Sequence, residues 1–205
     1  MSQENLLKEI EQIRSMMEKS SKFISISGLS GVLIGIYALI GAAFAYVKVY
    51  GFNSDIEFRD YYIDDPDILK YLSVVAAVVL VLSIVTGLSM ASRKAKYMNQ
   101  KIWNVVSRSL LFAIAVPLCT GGLFALILLS KGYYSLIASV LLIFYGLALV
   151  SGSPYTFKEV RWLGIFEILL GLLAILVPGY GLWFWVAGFG ILHIVYGLIV
   201  YKKYE

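Results

Sequence analysis

The 205-residue chain has little of what soluble chemistry uses: one cysteine (Cys119), one histidine (His193) and four prolines. A disulfide-stapled domain is thereby excluded, and so is a metal site built from clustered cysteine and histidine. There is no P-loop, no C-x-x-C pair and no dinucleotide fingerprint. Charged residues make up 15% of the chain, against about 25% in a soluble globular domain, which excludes an ordinary water-soluble enzyme. Disorder fails on hydrophobic content, and collagen on the absence of a glycine triplet period. The net charge of +4 is not read as a nucleic-acid footprint, because in so apolar a chain the placement of cations carries the meaning.

What the chain has is apolar length. Hydrophobic residues are 60% of it, and its mean hydropathy is +0.83. A membrane-spanning helix needs about 20 apolar residues. The spacing predicts an all-α bundle of six transmembrane helices, at about 23–47, 71–92, 109–130, 133–150, 162–178 and 181–201. The last two come from one long run broken by Pro178-Gly179-Tyr180-Gly181, which cannot continue a helix. Residues 1–22 carry no cleavable signal pattern and form the first of two regions, followed by the membrane domain 23–205. Within 5–20, Leu6, Ile10, Ile13 and Met17 make one helical stripe. Such a stripe can lie on the inner membrane surface, pair with a second copy as a short coiled coil or dock a partner protein, and two heptads do not choose among these.

Thirteen of the seventeen lysines and arginines fall on one side of these spans: before the first, in the 93–108 loop, at Lys158 and Arg161, and in the tail. The positive-inside rule then places both termini in the cytoplasm of a multi-pass cell-membrane (inner-membrane) protein. The outer 48–70 loop holds six acids, but their spacing fits no EF-hand, and the loop is read as a solvated ectoloop. The inner 93–108 loop has five bases and no acid, an attraction for anionic lipid. No cofactor, metal or nucleic acid is expected.

The spans repeat. LSIVTGLSM (82–90), LIFYGLALV (142–150) and HIVYGLIVY (193–201) share Gly87, Gly146 and Gly197. Three other spans carry GIYALIGA (35–42), LLFAIAVP (110–117) and GLLAILVP (171–178), so the six helices read as three related hairpins. The third hairpin, WLGIFEILLGLLAILVPGYGLWFWVAGFGILHIVYGLIVYKK (162–203), resembles a repeat unit of the HdeD-type family of small bacterial membrane proteins. The likeness is best there, fair over 105–150 and poor over 23–92, where the long acidic loop and charged amino-terminal helix depart from the family. It implies three two-helix hairpins and a role in acid resistance or envelope stress, with no enzymatic activity and no catalytic residues.

Only one acid and one histidine lie inside the spans. Glu167 and His193 flank the hairpin centre about equally, which puts both roughly 10 Å from the cytoplasmic face. Ionisable groups at such depth usually mark function. Gly164 and Gly171 share a face with Glu167, and Gly190 and Gly197 share one with His193. The two stripes are expected to face each other, with the polar pair between them. Gly28, Gly31 and Gly35 form a third packing stripe. The leading reading is a non-enzymatic membrane protein of envelope or acid stress. The alternative is a small proton-linked transporter or channel using Glu167 and His193. A remote third is an intramembrane serine protease, because Gly28-Leu29-Ser30-Gly31 spells the G-x-S-G of rhomboid proteases.

Overall fold

The computed structural model describes residues 27–51, 66–98 and 102–204. The expected amphipathic helix at 1–22, residues 23–26 of the first span, most of the acidic loop and Lys101 lie outside the described residues. The described chain is helical throughout, without strands. Its helices are α1 Gly28–Tyr50, α2 Pro66–Tyr97, α3 Val105–Ser130, α4 Ile137–Gly152, α5 Lys158–Leu176 and α6 Gly181–Tyr204.

Five of these, all but α5, are long and apolar enough to cross a membrane, α4 together with the 3-10 turns that flank it over Tyr134–Tyr155. Helix α5 has 19 residues but carries Lys158, Glu159 and Arg161 in its first turn and Glu167 midway. Several helices outrun the apolar stretches that predicted them: α2 continues through Arg93, Lys94 and Lys96. A helix is held by backbone hydrogen bonds, so it need not stop where hydrocarbon stops. Helix α3 starts at a reciprocal cap, Ser107 N–H donating to Asn104 Oδ1 (2.8 Å) and Asn104 N–H to Ser107 Oγ (2.9 Å). Between α5 and α6 the turn follows local chemistry. Pro178 pushes Val177 out of helical geometry, and Gly179 takes φ 103°, which favours glycine.

The interior mixes small residues with large apolar ones: Ala38, Ala42, Ala148 and Ala174 are buried, and so are Leu142, Phe157, Leu163 and Val200, while Phe44, Val78, Leu88, Phe112 and Leu176 are exposed. Large apolar side chains on the outside and small residues at helix contacts suit hydrocarbon solvent, where helices associate by close van der Waals approach rather than by hiding apolar surface.

Two helix seams are built alike. In the first, α4 meets α5: a Cβ on Gly146 would lie 2.5 Å from Gly164 O and 2.7 Å from Ile168 Cγ1, and one on Gly171 2.6 Å from Ile143 Cγ1. In the second, α6 meets α1: a Cβ on Gly197 would lie 2.7 Å from Gly28 O and 2.5 Å from Val32 N, and one on Gly35 2.6 Å from Ile194 Cγ1. In the sequence repeat, Gly146 corresponds to Gly197, Gly164 to Gly28, Ile168 to Val32, Gly171 to Gly35 and Ile143 to Ile194. Each contact of one seam has its counterpart in the other.

This pairing corrects one expectation. The glycine stripes of α5 and α6 do not face each other. Gly164 and Gly171 pack on α4, while Gly190 and Gly197 pack on α1, with Leu39 against Gly190. A glycine stripe specifies close approach but not the partner, and here each stripe is matched by a helix whose own small residues complement it.

Candidate functional site

Helix α6 is not uniformly α-helical. Between Gly181–Trp185 and His193–Tyr204 it passes through a π-helical stretch, Val186–Leu192. Such wide turns are rare and frequent at functional sites. Gly188, Phe189 and Gly190 lie within it. Here the wide turn leaves the Gly188 carbonyl facing the His193 ring, and His193 Nδ1–H donates to it at 3.0 Å. A carbonyl only accepts, which sets the ring tautomer. The other nitrogen, Nε2, accepts from the Tyr145 hydroxyl on α4 at 2.7 Å. Phe189 closes the aromatic side, its ring centroid 5.2 Å from that of Tyr145.

Glu167 reaches this cluster from α5. It is 0% exposed and His193 3%, and its Oε1 lies 3.4 Å from His193 Nδ1. The Nδ1 proton is already given to Gly188, so neither Glu167 oxygen has a hydrogen-bond partner. Room for the carboxyl comes from Gly188, where a Cβ would stand 2.5 Å from Glu167 Oε2. Leu142, fully buried, also packs at Gly188, its Cδ2 2.6 Å from where a Cβ would stand. Three helices thus converge on one histidine. The arrangement satisfies a neutral imidazole completely and leaves the carboxyl unsatisfied, a costly state for a buried polar group.

The sequence reading named Glu167 and His193, which the structure brings together, but it missed Tyr145 and the π turn. A signal for Tyr145 was present: the residue before the repeat glycine bears a hydroxyl in all three units, as Thr86, Tyr145 and Tyr196. Thr86 donates to Tyr37 at 3.3 Å, so this position serves cross-helix bonding in the first unit as well. Gly28, Gly31 and Gly35 line the α1 face of the second seam, with the Tyr196 ring 3.2 Å from where a Gly31 Cβ would be. Ser30 donates to Ser27 O at 2.6 Å, and both His193 nitrogens are engaged elsewhere, so the Ser30–His193 pairing of a protease is not formed. Pro117 sits inside α3, and Cys119 is exposed.

A second polar contact ties α5 to α6 at the end remote from the hairpin. Lys203 Nζ lies 2.6 Å from Glu159 Oε1, and the Tyr204 hydroxyl lies 3.2 Å from Oε2. Phe157 stacks on Tyr204 at 4.3 Å. Burial works to raise the Glu159 carboxyl, but Lys203, its own backbone and Tyr204 outweigh this and hold it below its usual 4.5. A depressed carboxylate contributes stability above its unfolded value and loses it as pH falls through the folded one. Glu159→Gln is therefore expected to lower the melting temperature slightly at pH 7, with the difference vanishing well below pH 4.5. Parallel thermal scans of both proteins across pH check this.

The fold and site define a helical bundle with the composition of a multi-pass membrane protein, closed around a Glu–His–Tyr cluster. No protein family, curated protein or solved structure was found to match the chain.

Proposed function

We propose that the chain is an acid-responsive, non-enzymatic membrane protein of six spans arranged as three hairpins, with α5 as the fifth span. The repeated seam geometry supports the hairpin reading, since repeat units in membrane folds commonly pack by equivalent contacts. The observation that carries the function is the unpartnered Glu167 carboxyl beside a fully satisfied His193. In acid, a further proton goes to His193 Nε2, because Nδ1 is already protonated. Nε2 then becomes a donor, the Tyr145 hydroxyl can no longer donate to it, and the α4–α6 bond must be remade. Besides Glu167 and Tyr145, the titratable group nearby is Tyr196, further along α6. No lysine or arginine bonds to the cluster among the described residues. This is a local charge change acting on a helix junction, the physical form of a pH switch. It agrees with the acid- and envelope-stress role that the resemblance to the HdeD type implies.

Protein reconstituted in liposomes separates this reading from the transporter alternative. The expected result is a change in intrinsic fluorescence or protease sensitivity between pH 7 and pH 5 without solute or proton flux. Proton-coupled flux abolished by Glu167→Gln would instead make the cluster a transport gate. Absence of any pH-dependent change would overturn both.

The orientation has its own test. With both termini cytoplasmic, a reporter fused after Glu205 is active only in the cytoplasm. A cysteine introduced within 52–65 in a Cys119→Ala background reacts with impermeant reagents from outside. Labelling from the inside alone would reverse the topology.

A further inference from the structure

A proton bound for His193 Nε2 must cross buried protein, since His193 is 3% exposed and the Tyr145 hydroxyl covers that nitrogen. The two directions along the helices are not alike. Toward the hairpin turn, residues 137–144, 168–177 and 181–192 hold no titratable group. Their one hydroxyl, on Ser139, is 0% exposed and has no hydrogen-bond partner. On α1, Tyr37 bonds Thr86 of α2, and Tyr46 lies edge-on to Trp183 near the turn, roughly 15 Å along α6 from His193 at 1.5 Å per residue.

Toward the other end, polar groups follow one face of α6. His193, Tyr196, Val200 and Tyr204 are spaced by three and four residues, a single helical stripe. Tyr196 is in electrostatic range of Tyr145 on α4 on one side, and of Glu159 on α5 and Tyr204 on the other. Its ring packs on the cluster of Phe157, Val160 and Val200, and on α1 it faces Gly31, which brings no charge. The stripe ends at the surface. There the Tyr204 hydroxyl lies 3.2 Å from Glu159 Oε2, Tyr204 is 39% exposed, and Lys203 stands beside the same carboxylate. Tyr196 thus sits between the buried cluster and the surface clasp, and neither cluster uses its hydroxyl.

We propose that Tyr196 relays protons from this end of the bundle to His193, so that the cluster senses acid on the side that bears Glu205. By the positive-inside rule that side is the cytoplasm. A proton arriving past Glu159 and Tyr204 joins the Tyr196 oxygen while the Tyr196 hydroxyl gives its own proton to the Tyr145 oxygen. Tyr145 in turn gives its proton to His193 Nε2. Each hydroxyl gains one proton and loses one, so both tyrosines end neutral and the charge rests on the imidazolium. The apolar segments toward the hairpin turn offer no such succession of donors and acceptors, and an unaccompanied charge there is costly.

The relay rests on the acid reading of the cluster, and sidedness separates the two. Full-length protein tagged after Glu205 is reconstituted in phosphatidylcholine vesicles, which are sorted on the tag into tail-out and tail-in populations. The external medium is stepped from pH 7 to pH 5, and intrinsic tryptophan fluorescence is followed in stopped flow. Tail-out vesicles should respond at once, and tail-in vesicles only as the lumen acidifies. Tyr196→Phe keeps the ring against Gly31 and Val200 and removes the hydroxyl alone. In tail-out vesicles it should slow the response about tenfold or more and leave the pH midpoint unchanged. Glu159→Gln alters the surface entry without touching the buried ring, and should also slow it. Equal rates in the two populations would overturn the relay and keep the acid reading. So would a Tyr196→Phe protein as fast as the parent, even with a shifted midpoint, which would make Tyr196 a packing residue. A parent that responds in neither population would remove the acid reading and the relay together.

Discussion

The double variant Glu167→Gln, His193→Gln is expected to insert and fold like the parent and to lose its conformational response between pH 7 and pH 5. The size of the effect follows from what a second proton does in this place. At neutral pH a neutral His193 ring, bonded to Gly188 and Tyr145, beside a protonated Glu167 carboxyl carries no net charge. A further proton leaves a positive charge beside Phe189 and Tyr145, with no lysine or arginine bonded to the cluster among the described residues. Even on insertion scales an ionic group inside the hydrocarbon costs about 2.5–3.5 kcal/mol. The cheapest relief is movement of α6 relative to α4, which the π stretch at Val186–Leu192 accommodates within the helix. Disulfide trapping between cysteines placed on α4 and α6 reads the movement, in a Cys119→Ala background. Glutamine at both positions keeps polar bulk and removes titration. Trapping that still changes with pH in the double variant would make the pair a structural clasp. Tyr145→Phe isolates the third member: it removes the hydroxyl that bonds Nε2, so the neutral state loses its restraint and trapping at pH 7 should shift toward the pH 5 pattern.

A second large effect is expected from glycine substitutions, and its size depends on the seam. Gly197→Leu forces a side chain into Val32 N and Gly28 O, and Gly146→Leu into Gly164 O. Backbone cannot step aside as a side-chain tip can, so each change should cost more than the usual 1–3 kcal/mol or so of overpacking. The expected readout is loss of monodisperse protein in detergent. Gly87→Leu, at the third repeat-equivalent position, meets open space and should be nearly neutral. Equal damage at all three glycines would mean that Gly87 is buried in the membrane by a contact with α3 or a partner.

The clasp at Glu159 is not a competing source of the acid response. It weakens only below pH 4.5, whereas the Glu167–His193 readout is taken between pH 7 and pH 5. The two can be separated by pH alone.

The class of protein was legible in composition, and helix positions in the apolar runs, because a bilayer imposes length and hydrophobicity on any chain that crosses it. The buried pair was legible too, as the single acid and single histidine within those runs. Residue spacing alone did not reveal which helix each glycine stripe would meet. Gly164 and Gly190 carry the same information about closeness, and neither names its partner. Tyr145 was hidden for a related reason, since a tyrosine in an apolar span reads as an ordinary aromatic until a ring nitrogen stands 2.7 Å away. The π turn left no local signature beyond Gly188 and Gly190, glycines that also suit close packing. Local sequence determined the helices, the hairpin turn at Pro178 and Gly179, and the repeat. Tertiary structure alone decided that two seams close and that α2 stands apart from α3. It also decided that His193 turns to Gly188 and Tyr145 rather than to Glu167. These choices depend on side-chain volumes and donors meeting across helices far apart in the chain, and no single helix carries that information.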